Sequence, residues 1–390
     1  MQTQVAIVGA GPAGLVLAHL LHLAGIETVV LEARSREHIE HRIRAGVLEH
    51  PTVRLLRETG VGARMDREGM VHHGLSLRFD RADHRIALTE LAGTPIMVYG
   101  QQEVIRDLVA ARLAAGLPIL FDVDDVDVHD LDTDRPSVTF RDAAGVAHRL
   151  RCAVVAGCDG SHGVCRRAVP AGVLRTCTRR YPYAWLGVLA GTAPSHHELI
   201  YAYSDRGFAL HSMRSTELTR LYLQVAPDER IEDWPDDRIF SELAQRLAAD
   251  GFTLRTGPLH ERGITTMRSV VVTPMRYGRL LLAGDAAHIV PPTGAKGMNL
   301  AVADVVVAAG AIADLLGSGD GRRFAGYSDT CLRRVWRAEH FSWWMTSMLH
   351  RDPHADPFEH QLQLSQLRYL ASSTAAATSL AENYVGLPHP

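Results

Sequence analysis

A glycine-rich turn near the N-terminus constrains the fold more than any other feature of this 390-residue chain. The apolar run 5–8 precedes Gly9, Gly11 and Gly14, and an apolar, helix-like stretch, 15–24, follows them. The first glycine permits a tight turn, the second lets a pyrophosphate approach the backbone, and the third lets the helix pack against the strand. The positive end of that helix attracts the phosphates. The pattern predicts a Rossmann-type unit that binds an adenine dinucleotide.

A carboxylate completes this predicted nucleotide site. A second apolar stretch, 28–31, ends at Glu32, which lies 18 residues after Gly14. At the end of the second strand of such a unit, a carboxylate can accept hydrogen bonds from the ribose hydroxyls. We therefore expect Glu32 to contact the dinucleotide.

Two further turns indicate which dinucleotide binds. Asp159 and Asp285 each follow an apolar strand, and the stretch 284–288 resembles the flavoprotein hydroxylase signature, in which the aspartate contacts the ribityl end of FAD. Either turn alone is equally typical of an ordinary loop, but together with the glycine fingerprint they predict FAD rather than NAD. The glycine-rich stretch 317–321 follows a helix instead of a strand, which predicts a surface turn. A nicotinamide donor is therefore expected to bind without a second Rossmann unit.

Composition argues against several classes of protein. A net charge of −3 gives no electrostatic case for nucleic acid binding. Five cysteines without Cys-x-x-Cys spacing predict reduced thiols in a cytoplasmic protein, and 21 histidines without a chelating pattern predict no metal site. The apolar run 301–317 is interrupted by Asp304 and Asp314, which predicts a core helix rather than a membrane span. A strand that begins almost at Met1 leaves no room for a signal peptide.

The order of predicted elements indicates an α/β chain, mixed α+β in detail. Residues 181–226 alternate as in an antiparallel sheet, 236–250 is helix-like, 278–284 resembles a buried strand, and the chain beyond it is mostly helical. We predict a Rossmann-type FAD-binding domain that is interleaved with a mainly antiparallel substrate-binding sheet. The predicted boundaries are 1–73, 97–180 and 270–340 for the FAD-binding domain, 74–96 and 181–269 for the substrate domain, and 341–390 for a C-terminal helical interface segment.

Several longer motifs carry a family resemblance. The stretches 42–48 (RIRAGVL) and 284–300 (GDAAHIVPPTGAKGMNL) closely resemble the 4-hydroxybenzoate 3-monooxygenase family, the single-component FAD-dependent aromatic hydroxylases. Further matches lie at 199–214, 341–345 and 382–388, so the resemblance runs from end to end. This pattern is far more specific than the glycine fingerprint.

The resemblance implies an activity. The family hydroxylates 4-hydroxybenzoate at position 3 to give 3,4-dihydroxybenzoate, using NADPH or NADH and O2 through a flavin hydroperoxide. It also implies a homodimer formed with the aromatic-rich C-terminal part, where core packing is the alternative explanation. Two other functions stay open: a related flavin hydroxylase for another phenolic acid, and a flavin-binding protein without turnover. Retention of Tyr201, Arg214 and Tyr384 argues against the second.

Two neighbouring strands are predicted to form the carboxylate end of the substrate site. Their two-residue period places Phe208, Leu210, Ser212 and Arg214 on one face of the first, and Arg220, Tyr222 and Gln224 on one face of the second. A hydroxyl and a guanidinium at the end of an apolar face suit an aromatic carboxylate. A sheet with a polar exposed face would show the same alternation. The resemblance implies Tyr222 at the carboxylate and Arg220 near the flavin.

The phenol end needs a route for a proton. A phenol titrates near pH 10, so ionising it at pH 7 costs roughly 4 kcal/mol. The resemblance implies a relay from Tyr201 to Tyr384 and, through water, to His72, with the Pro292 carbonyl on the substrate side. His72 is expected to titrate near neutrality and to release the proton to solvent. An ordinary exposed histidine is the alternative reading of that position.

The flavin is expected to be held by arginines, by a loop and by a helix start. Arg42 and Arg44, two residues apart, project to one side of an extended segment and can grip phosphate oxygens. The loop 290–297 precedes a helix that begins near Met298, whose N-terminus would stabilise negative charge on the reduced flavin. The resemblance implies that Asn299 holds both the flavin and this loop. It adds further cofactor contacts from Gln101, Arg220, Gly297 and Met298.

The choice of nicotinamide donor depends on the stretch 33–38. Arg34 and Arg36 are equally consistent with a grip on a 2′-phosphate and with solvated helix charges. His38, His162 and Arg268 match family positions associated with the nicotinamide cofactor. The stretch differs from that of NADPH-using members and slightly favours NADH or dual use.

Overall fold

The computed structural model describes residues 1–42 and 46–388. The strands are β1 (Val5–Val8), β2 (Thr28–Leu31), β3 (Val47–Leu48), β4 (Met70–His72), β5 (Leu75–Phe79), β6 (Ala82–Ile86), β7 (Ile96–Val98), β8 (Ile119–Leu120), β9 (Asp124–His129), β10 (Ser137–Arg141), β11 (Ala147–Arg151), β12 (Val154–Gly157), β13 (Arg175–Ala190), β14 (Leu199–Ala202), β15 (Ala209–Met213), β16 (Thr219–Val225), β17 (Leu259–Thr273), β18 (Arg276–Tyr277), β19 (Leu280–Leu282) and β20 (His288–Ile289). The helices are α1 (Pro12–Leu23), α2 (Arg36–His41), α3 (His50–Glu58), α4 (Ala63–Glu68), α5 (Leu88–Ala92), α6 (Gln101–Ala114), α7 (Asp236–Arg246), α8 (Gly297–Gly317), α9 (Arg322–Ala325), α10 (Tyr327–Leu349), α11 (Pro357–Ser372) and α12 (Thr374–Val385).

A largely parallel sheet forms the nucleotide-binding part of the molecule. Its strand order is β18-β19-β12-β1-β2-β8, and β1 pairs in parallel with both β12 and β2. All four residues of β1 and of β2 are buried, as expected for parallel strands that are covered on both faces. Helices α1 and α8 pack against each other on this sheet. The Rossmann-type unit predicted from the glycine fingerprint is confirmed.

A larger sheet of mostly antiparallel strands is interleaved with this unit in sequence. Its order is β20-β17-β13-β16-β15-β14-β5-β6, and only the β14–β5 pair among them is parallel. Along β16 buried and half-buried residues alternate strictly, which gives one face to a core and the other to a cavity. The predicted mixed α/β architecture with an inserted antiparallel sheet is confirmed.

Two long strands connect the two parts of the molecule. Strand β13 pairs with β17 from Arg175 opposite Thr273 to Ala190 opposite Leu259. The first six residues of β13 are exposed and most of the following ones are buried, with a shift in register between Arg180 and Ala184. The predicted domain boundaries at 180/181 and 269/270 thus lie within continuous strands. The change from exposed to buried residues along β13 explains why the alternating pattern begins near residue 181. The division of the chain into domains at these boundaries stays a prediction.

The buried apolar residues form three clusters. The first unites residues of 5–65, 97–169 and 270–335 around the parallel sheet. The second unites residues of 75–98, 181–213 and 341–385, so α10, α11 and α12 cover one face of the large sheet. The third lies on the opposite face, under α7. The C-terminal helices therefore close the face of the large sheet that bears the predicted substrate residues.

Helix α8 contains the long apolar run 301–317. By length and composition it is the described helix that could cross a membrane. More than half of its residues are buried inside the protein, and it packs against α1 and α10. It therefore occupies the place of the core helix predicted from the sequence.

Candidate functional site

The glycine-rich turn is shaped by two close approaches of the chain and leaves one open space. Gly9 has φ of +103°, and a Cβ there would lie 2.3 Å from the carbonyl oxygen of Cys158. A Cβ at Gly14 would lie 1.9 Å from the carbonyl oxygen of Gly9. At Gly11 a Cβ would meet nothing within 4 Å. Protein packing thus requires Gly9 and Gly14, whereas Gly11 faces space that a pyrophosphate would fill.

Glu32 is anchored beside this turn. One carboxylate oxygen accepts a hydrogen bond from the Ala10 amide (2.7 Å), and the other accepts one from the Arg34 amide (2.9 Å). A carboxylate has about four acceptor positions, so about two stay available for ribose hydroxyls. The residue also lines the cavity beside the turn.

That cofactor cavity, of about 330 Å³, extends from the glycine turn to the start of α8. Nine residues predicted from the sequence line it: Gly11, Glu32, Arg34, His38, Arg42, Gln101, Asp285, Gly297 and Met298. The donor set of backbone amides, arginine and carboxylates suits the phosphates and sugars of FAD. Arg44 lies outside the described residues.

Asp159 is turned away from this cavity. Its Oδ2 accepts a hydrogen bond from the Cys165 amide (2.8 Å), and its Oδ1 is buried without a partner. A Cβ at Gly163 would lie 1.9 Å from its carboxyl carbon, so the turn packs tightly onto the side chain. Its neighbours Cys158 and Gly160 line the cavity instead. The described contacts of Asp159 are therefore with the chain itself, and its cofactor role stays a prediction.

A buried pair of side chains, which the sequence analysis did not predict, supports the turn at 284–288. Asp304 on α8 lies 2.5 Å from the His288 Nε2 and accepts a hydrogen bond from the Gly284 amide (3.0 Å). Both side chains are 2% exposed. Burial opposes the charged imidazole, but the Asp304 carboxylate outweighs it and raises the pKa of His288. The interrupting Asp304 in an otherwise apolar helix was the available signal.

A second cavity, of about 490 Å³, lies on the large sheet and shares Arg42 with the cofactor cavity. Five residues predicted for the substrate site line it, Tyr201, Ser212, Arg214, Tyr222 and Pro292, together with Arg220, which was predicted to lie near the flavin. Strand pairing places Tyr201 and Tyr222 on either side of Leu210. Gly187 lies opposite Tyr222, and a Cβ there would come within 2.9 Å of that ring. The predicted faces of β15 and β16 therefore meet at one cavity.

One end of this substrate cavity is positively charged. The Arg214 Nη1 donates to the Ser212 Oγ (3.0 Å) and to the Met213 carbonyl oxygen (2.8 Å), while its Nε is buried without a partner. Burial lowers the pKa of Arg214. Arg220 has Glu261 as a partner (3.1 Å), whereas Arg214 has no salt bridge to a described residue. An anion would therefore find an unneutralised guanidinium here.

Two tyrosines meet at the other end. The hydroxyls of Tyr201 and Tyr384 lie 2.6 Å apart, and the side chains are 2% and 1% exposed. Burial raises the pKa of both residues, so both are neutral at physiological pH. The predicted pairing of residues 183 positions apart is present in the structure.

His72 differs from the expectation in one respect. It is 2% exposed, and burial lowers its pKa to about 4, so it does not titrate near neutrality as expected from the sequence. Its Nδ1 is buried without a partner. No direct hydrogen bond links it to Tyr384 among the described residues. The low pKa results from tertiary packing, because His72 is the buried last residue of β4, whereas its neighbour Val71 is exposed.

The loop before α8 is held by Asn299, as the resemblance implies, and by a Glu49–Lys296 pair that the sequence did not indicate. The Lys296 Nζ donates to a carboxylate oxygen of Glu49 (2.7 Å) and to the Tyr384 carbonyl oxygen (3.3 Å). The Asn299 amide donates to the carbonyl oxygens of Val47 and Ala295 (3.0 Å each), and its oxygen accepts from the Glu49 amide (2.9 Å). Glu49 and Lys296, both buried, were missed because their partners lie more than 200 positions away.

The four nicotinamide candidates are divided between two places. Arg34 and His38 line the cofactor cavity. His162 is exposed in the turn after β12, and Arg268 lies on β17 opposite Arg180. Neither of the latter two lines the cofactor or the substrate cavity. The nicotinamide site stays a prediction.

Comparison with known proteins gives one full-length match and further partial ones. The FAD binding domain family matches residues 2–342. The p-hydroxybenzoate hydroxylase of Acinetobacter baylyi is 47% identical over 391 aligned residues, which cover 100% of this chain and 96% of that protein. The 3-(3-hydroxy-phenyl)propionate/3-hydroxycinnamic acid hydroxylase of Mycobacterium avium is 29% identical over 77% of this chain, which spans about half (53%) of that protein.

Solved structures share the fold. The p-nitrophenol 4-monooxygenase PnpA of Pseudomonas putida DLL-E4 superposes with a TM-score of 0.84 at 20% identity, with 99% of both chains covered. The anhydrotetracycline hydroxylase OxyS of Streptomyces rimosus gives a TM-score of 0.78 at 20% identity, over 99% of this chain and 76% of that one. At these identities the likeness concerns the fold alone.

Proposed function

Because the chain belongs to the p-hydroxybenzoate hydroxylase family of FAD-dependent aromatic hydroxylases, we propose that it hydroxylates 4-hydroxybenzoate at position 3 to give 3,4-dihydroxybenzoate. One observation carries the proposal beyond family membership. A single cavity has the unneutralised Arg214 and Ser212 at one end and, opposite Leu210, Tyr201 at the other, with the Tyr201 hydroxyl bonded to that of Tyr384. These two ends match the carboxylate and the phenol of one aromatic acid.

The carboxylate end binds and orients the acid. Arg214 offers a guanidinium whose Nε is unpartnered, and Ser212 lies within hydrogen-bond distance of the same group. A bidentate pair with a carboxylate is directional as well as strong, so it fixes the ring in the plane of the cavity. Tyr222, on the adjacent strand, adds a hydroxyl on the same side. Arg220, held by Glu261, adds positive charge at the flavin side.

The phenol end moves a proton. The substrate phenol donates to the Tyr201 hydroxyl, which donates in turn to that of Tyr384, so a proton that leaves the phenol passes along the pair. After this transfer the Tyr201 hydroxyl donates to the phenolate oxygen. Neutral tyrosines suit this task, because a hydroxyl can donate and accept at the same time. A hydrogen bond to the phenolate favours the ionised substrate. Pro292 also lines the cavity, where its carbonyl would orient the ring.

His72 acts in this proposal as a neutral imidazole. A neutral ring carries one donor and one acceptor nitrogen, so it can pass a proton between waters without holding a charge. The unpartnered Nδ1 supports a water at that position. The exit of the proton therefore does not depend on a histidine with a pKa near 7.

FAD, when bound, supplies the redox chemistry with electrons from a nicotinamide donor and with O2 as co-substrate. The chain holds it at the glycine turn, at Glu32 and at Arg42, with Asp285 along the ribityl end. The N-terminus of α8, at Gly297 and Met298, offers its amides to the ring end. Asn299 fixes the preceding loop by its three hydrogen bonds.

The enzyme is proposed to use NADH, or both NADH and NADPH, as its electron donor. Arg34 and His38 supply a basic edge of the cofactor cavity, but Arg36 is paired with Glu40 (2.6 Å) and so less available for a 2′-phosphate. His162 and Arg268 would contact the donor when it approaches the exposed strands of the large sheet. Comparison of kcat/KM for NADH and NADPH in Arg34→Ala and Arg268→Ala tests these assignments.

The protein is also proposed to be a cytoplasmic homodimer. Phe341 and Met345 are buried in the chain's own core, so these members of the aromatic-rich segment serve packing instead of an interface. Helix α11 leaves large apolar side chains in solvent on one face, Phe358, Leu362 and Tyr369, exposed by 70%, 55% and 59%. A symmetric contact would bury this face. Sedimentation equilibrium of the wild type and of Phe358→Glu tests it.

Oxygen uptake is the direct test of the main proposal. The holoenzyme is assayed with NADH and with NADPH separately, and product is identified by chromatography. We expect 4-hydroxybenzoate to stimulate uptake and to yield 3,4-dihydroxybenzoate. Benzoate, which lacks the phenol, should bind without being hydroxylated, and 4-hydroxybenzamide, which lacks the charge, should bind poorly. Absence of stimulation by 4-hydroxybenzoate with both donors would sink the proposal. If another hydroxybenzoate were hydroxylated instead, the protein would be a related flavin hydroxylase for that phenolic acid.

A further inference from the structure

His350 is the first residue after α10 and lies buried behind the substrate cavity. The residue is only 1% exposed. Its ring is stacked between those of Tyr183 and Phe208, with centroid distances of 4.7 and 4.4 Å. The imidazole therefore has no freedom to rotate without displacing two aromatic rings.

Both ring nitrogens of His350 have defined partners. The indole Nε1–H of Trp185 donates to its Nε2 at 2.6 Å, and its Nδ1 lies 3.0 Å from the Thr346 carbonyl oxygen. An indole only donates and a carbonyl only accepts, so Nδ1 carries the proton and Nε2 accepts. Burial lowers the pKa of His350 to about 3, which agrees with a neutral ring. A single tautomer thus satisfies both contacts.

Trp185 forms a wall of the substrate cavity. Its ring is stacked on Phe208 at 5.3 Å and tilted against Tyr222 at 4.7 Å. Tyr222 lies beside the predicted carboxylate end, so the orientation of the indole limits the space beside the ring of a bound acid. The hydrogen bond to His350 is the described polar contact that fixes this orientation.

One turn of α10 connects this wall to the opposite one. The Thr346 hydroxyl donates to the Thr293 hydroxyl at 2.9 Å, in the loop that carries Pro292, while the Thr346 carbonyl accepts from His350. The chain after His350 is also fixed, because the Gln224 side chain accepts from the Arg351 amide (3.0 Å) and donates to its carbonyl (2.5 Å). The imidazole is therefore held relative to both walls of the cavity.

We propose that His350 is a positioning residue that fixes the Trp185 indole and thereby sets which ring substituents the substrate cavity accepts. This inference rests on the proposed function only in that the cavity receives an aromatic acid. His350 does not touch the substrate, and it acts through Trp185. A tautomer-locked acceptor suits the task because its geometry does not change across the working pH range.

The hydrogen bond itself can be observed in the ligand-free holoenzyme. Tryptophan is labelled with 15N, and Trp185→Phe assigns the indole resonance among those of the five tryptophans. We expect a downfield Trp185 indole proton in the wild type and in His350→Gln, which keeps an acceptor and a donor. In His350→Leu, of similar apolar volume, the resonance should move upfield and exchange faster with solvent.

Selectivity is the functional readout. Dissociation constants are measured for 4-hydroxybenzoate and for its 2-chloro and 3-chloro derivatives. We expect His350→Leu to reduce the preference for the unsubstituted acid by about three- to tenfold, the equivalent of losing one hydrogen bond, and His350→Gln to restore most of it. The matched control is His211→Leu, since His211 is fully buried on β15 and accepts a bond from the Ser195 amide, but alternates with Leu210 and Ser212 and so faces away from the cavity.

The outcomes separate this inference from the proposed function. An unchanged indole resonance in His350→Leu, or equal losses of affinity for all three ligands in His350→Leu and His211→Leu, would overturn the positioning role. A wild-type enzyme that hydroxylates none of the hydroxybenzoates would contradict the proposed function. The resonance test stands in that case too, because it uses holoenzyme without substrate.

Discussion

Replacing Arg214 by methionine should affect binding and stability in opposite ways. Arg214 is half-buried in the wall of the substrate cavity with its Nε enclosed, makes two hydrogen bonds to uncharged groups, and has no carboxylate partner among the described residues. Taking an unpaired charge out of water costs several kcal/mol, and hydrogen bonds to a charged group return about 1.5–3 kcal/mol each. The two contributions nearly cancel. We therefore expect Arg214→Met to leave the free energy of unfolding within about 1 kcal/mol of the wild type or to raise it.

The same change removes the charged anchor for the substrate. Loss of a bidentate pair of charge-assisted bonds amounts to about 3–5 kcal/mol, or between about 100-fold and several thousand-fold in Kd for 4-hydroxybenzoate. Binding is measured by titrating the flavin absorbance change, and unfolding by urea with circular dichroism at constant FAD excess. Arg214→Lys keeps the charge without the fork and should recover only part of the affinity.

Arg78 provides the control of opposite sign. It is fully buried, and it forms a bidentate pair with Asp83 at 2.7 Å for each bond. Its removal also leaves the buried Leu247 carbonyl without a donor and the Phe252 ring without the guanidinium that lies over it, so Arg78→Met should lower the free energy of unfolding by about 2 kcal/mol. If Arg214→Met destabilised the protein as much as Arg78→Met does, the reasoning from an uncompensated charge would be refuted.

Three further perturbations address the relay, the glycine turn and the buried pair. Tyr384→Phe should lower kcat by about 100-fold with little change in substrate Kd, since it interrupts proton transfer but leaves the carboxylate end intact; an unchanged kcat would remove Tyr384 from the relay. Gly11→Ala should fold normally and bind FAD weakly, whereas Gly14→Ala, with its 1.9 Å clash, should fold poorly; equal urea midpoints for the two apoproteins would contradict this. The pKa of His288 is raised above 6.5 in the folded state, so the contribution of its protonation to stability is fully present below pH 6.5 and is lost as the pH rises through the raised value. Asp304→Asn should abolish this pH dependence of the urea midpoint. A wild-type urea midpoint that does not fall as the pH rises would count against the argument.

The local parts of the site could be predicted because their signals are local. The turn from Gly9 to Gly14 is recognisable within six residues, because Gly9 has a positive φ and Gly14 packs on the Gly9 carbonyl, and Glu32 follows at the distance set by one helix and one strand. The shared face of Ser212 and Arg214 follows from the two-residue period of a strand. Each of these predictions needed only the geometry of one or two elements.

Other properties depend on contacts that no local pattern encodes. The low pKa of His72 comes from burial under neighbouring elements, and the orientation of Asp159 comes from the packing of the turn at Gly163. The Glu49–Lys296 pair and the His350–Trp185 bond join residues that are 247 and 165 positions apart. Sequence periodicity describes which face a residue occupies, but not which distant side chain packs against it.

The interleaving of the two sheets explains why these long-range contacts converge on one cavity. Ligands of parallel α/β sheets bind beyond the carboxyl ends of the strands, and here β19 ends in the turn and loop that lead to α8. The long strands β13 and β17 bring the large sheet to that end, and the C-terminal helices then fold back so that α12 presents Tyr384 to Tyr201. The cofactor cavity and a second cavity built by a different core therefore lie next to each other and share Arg42. Two paired strands, rather than a single linker, thus connect the parts of the molecule that form the two cavities.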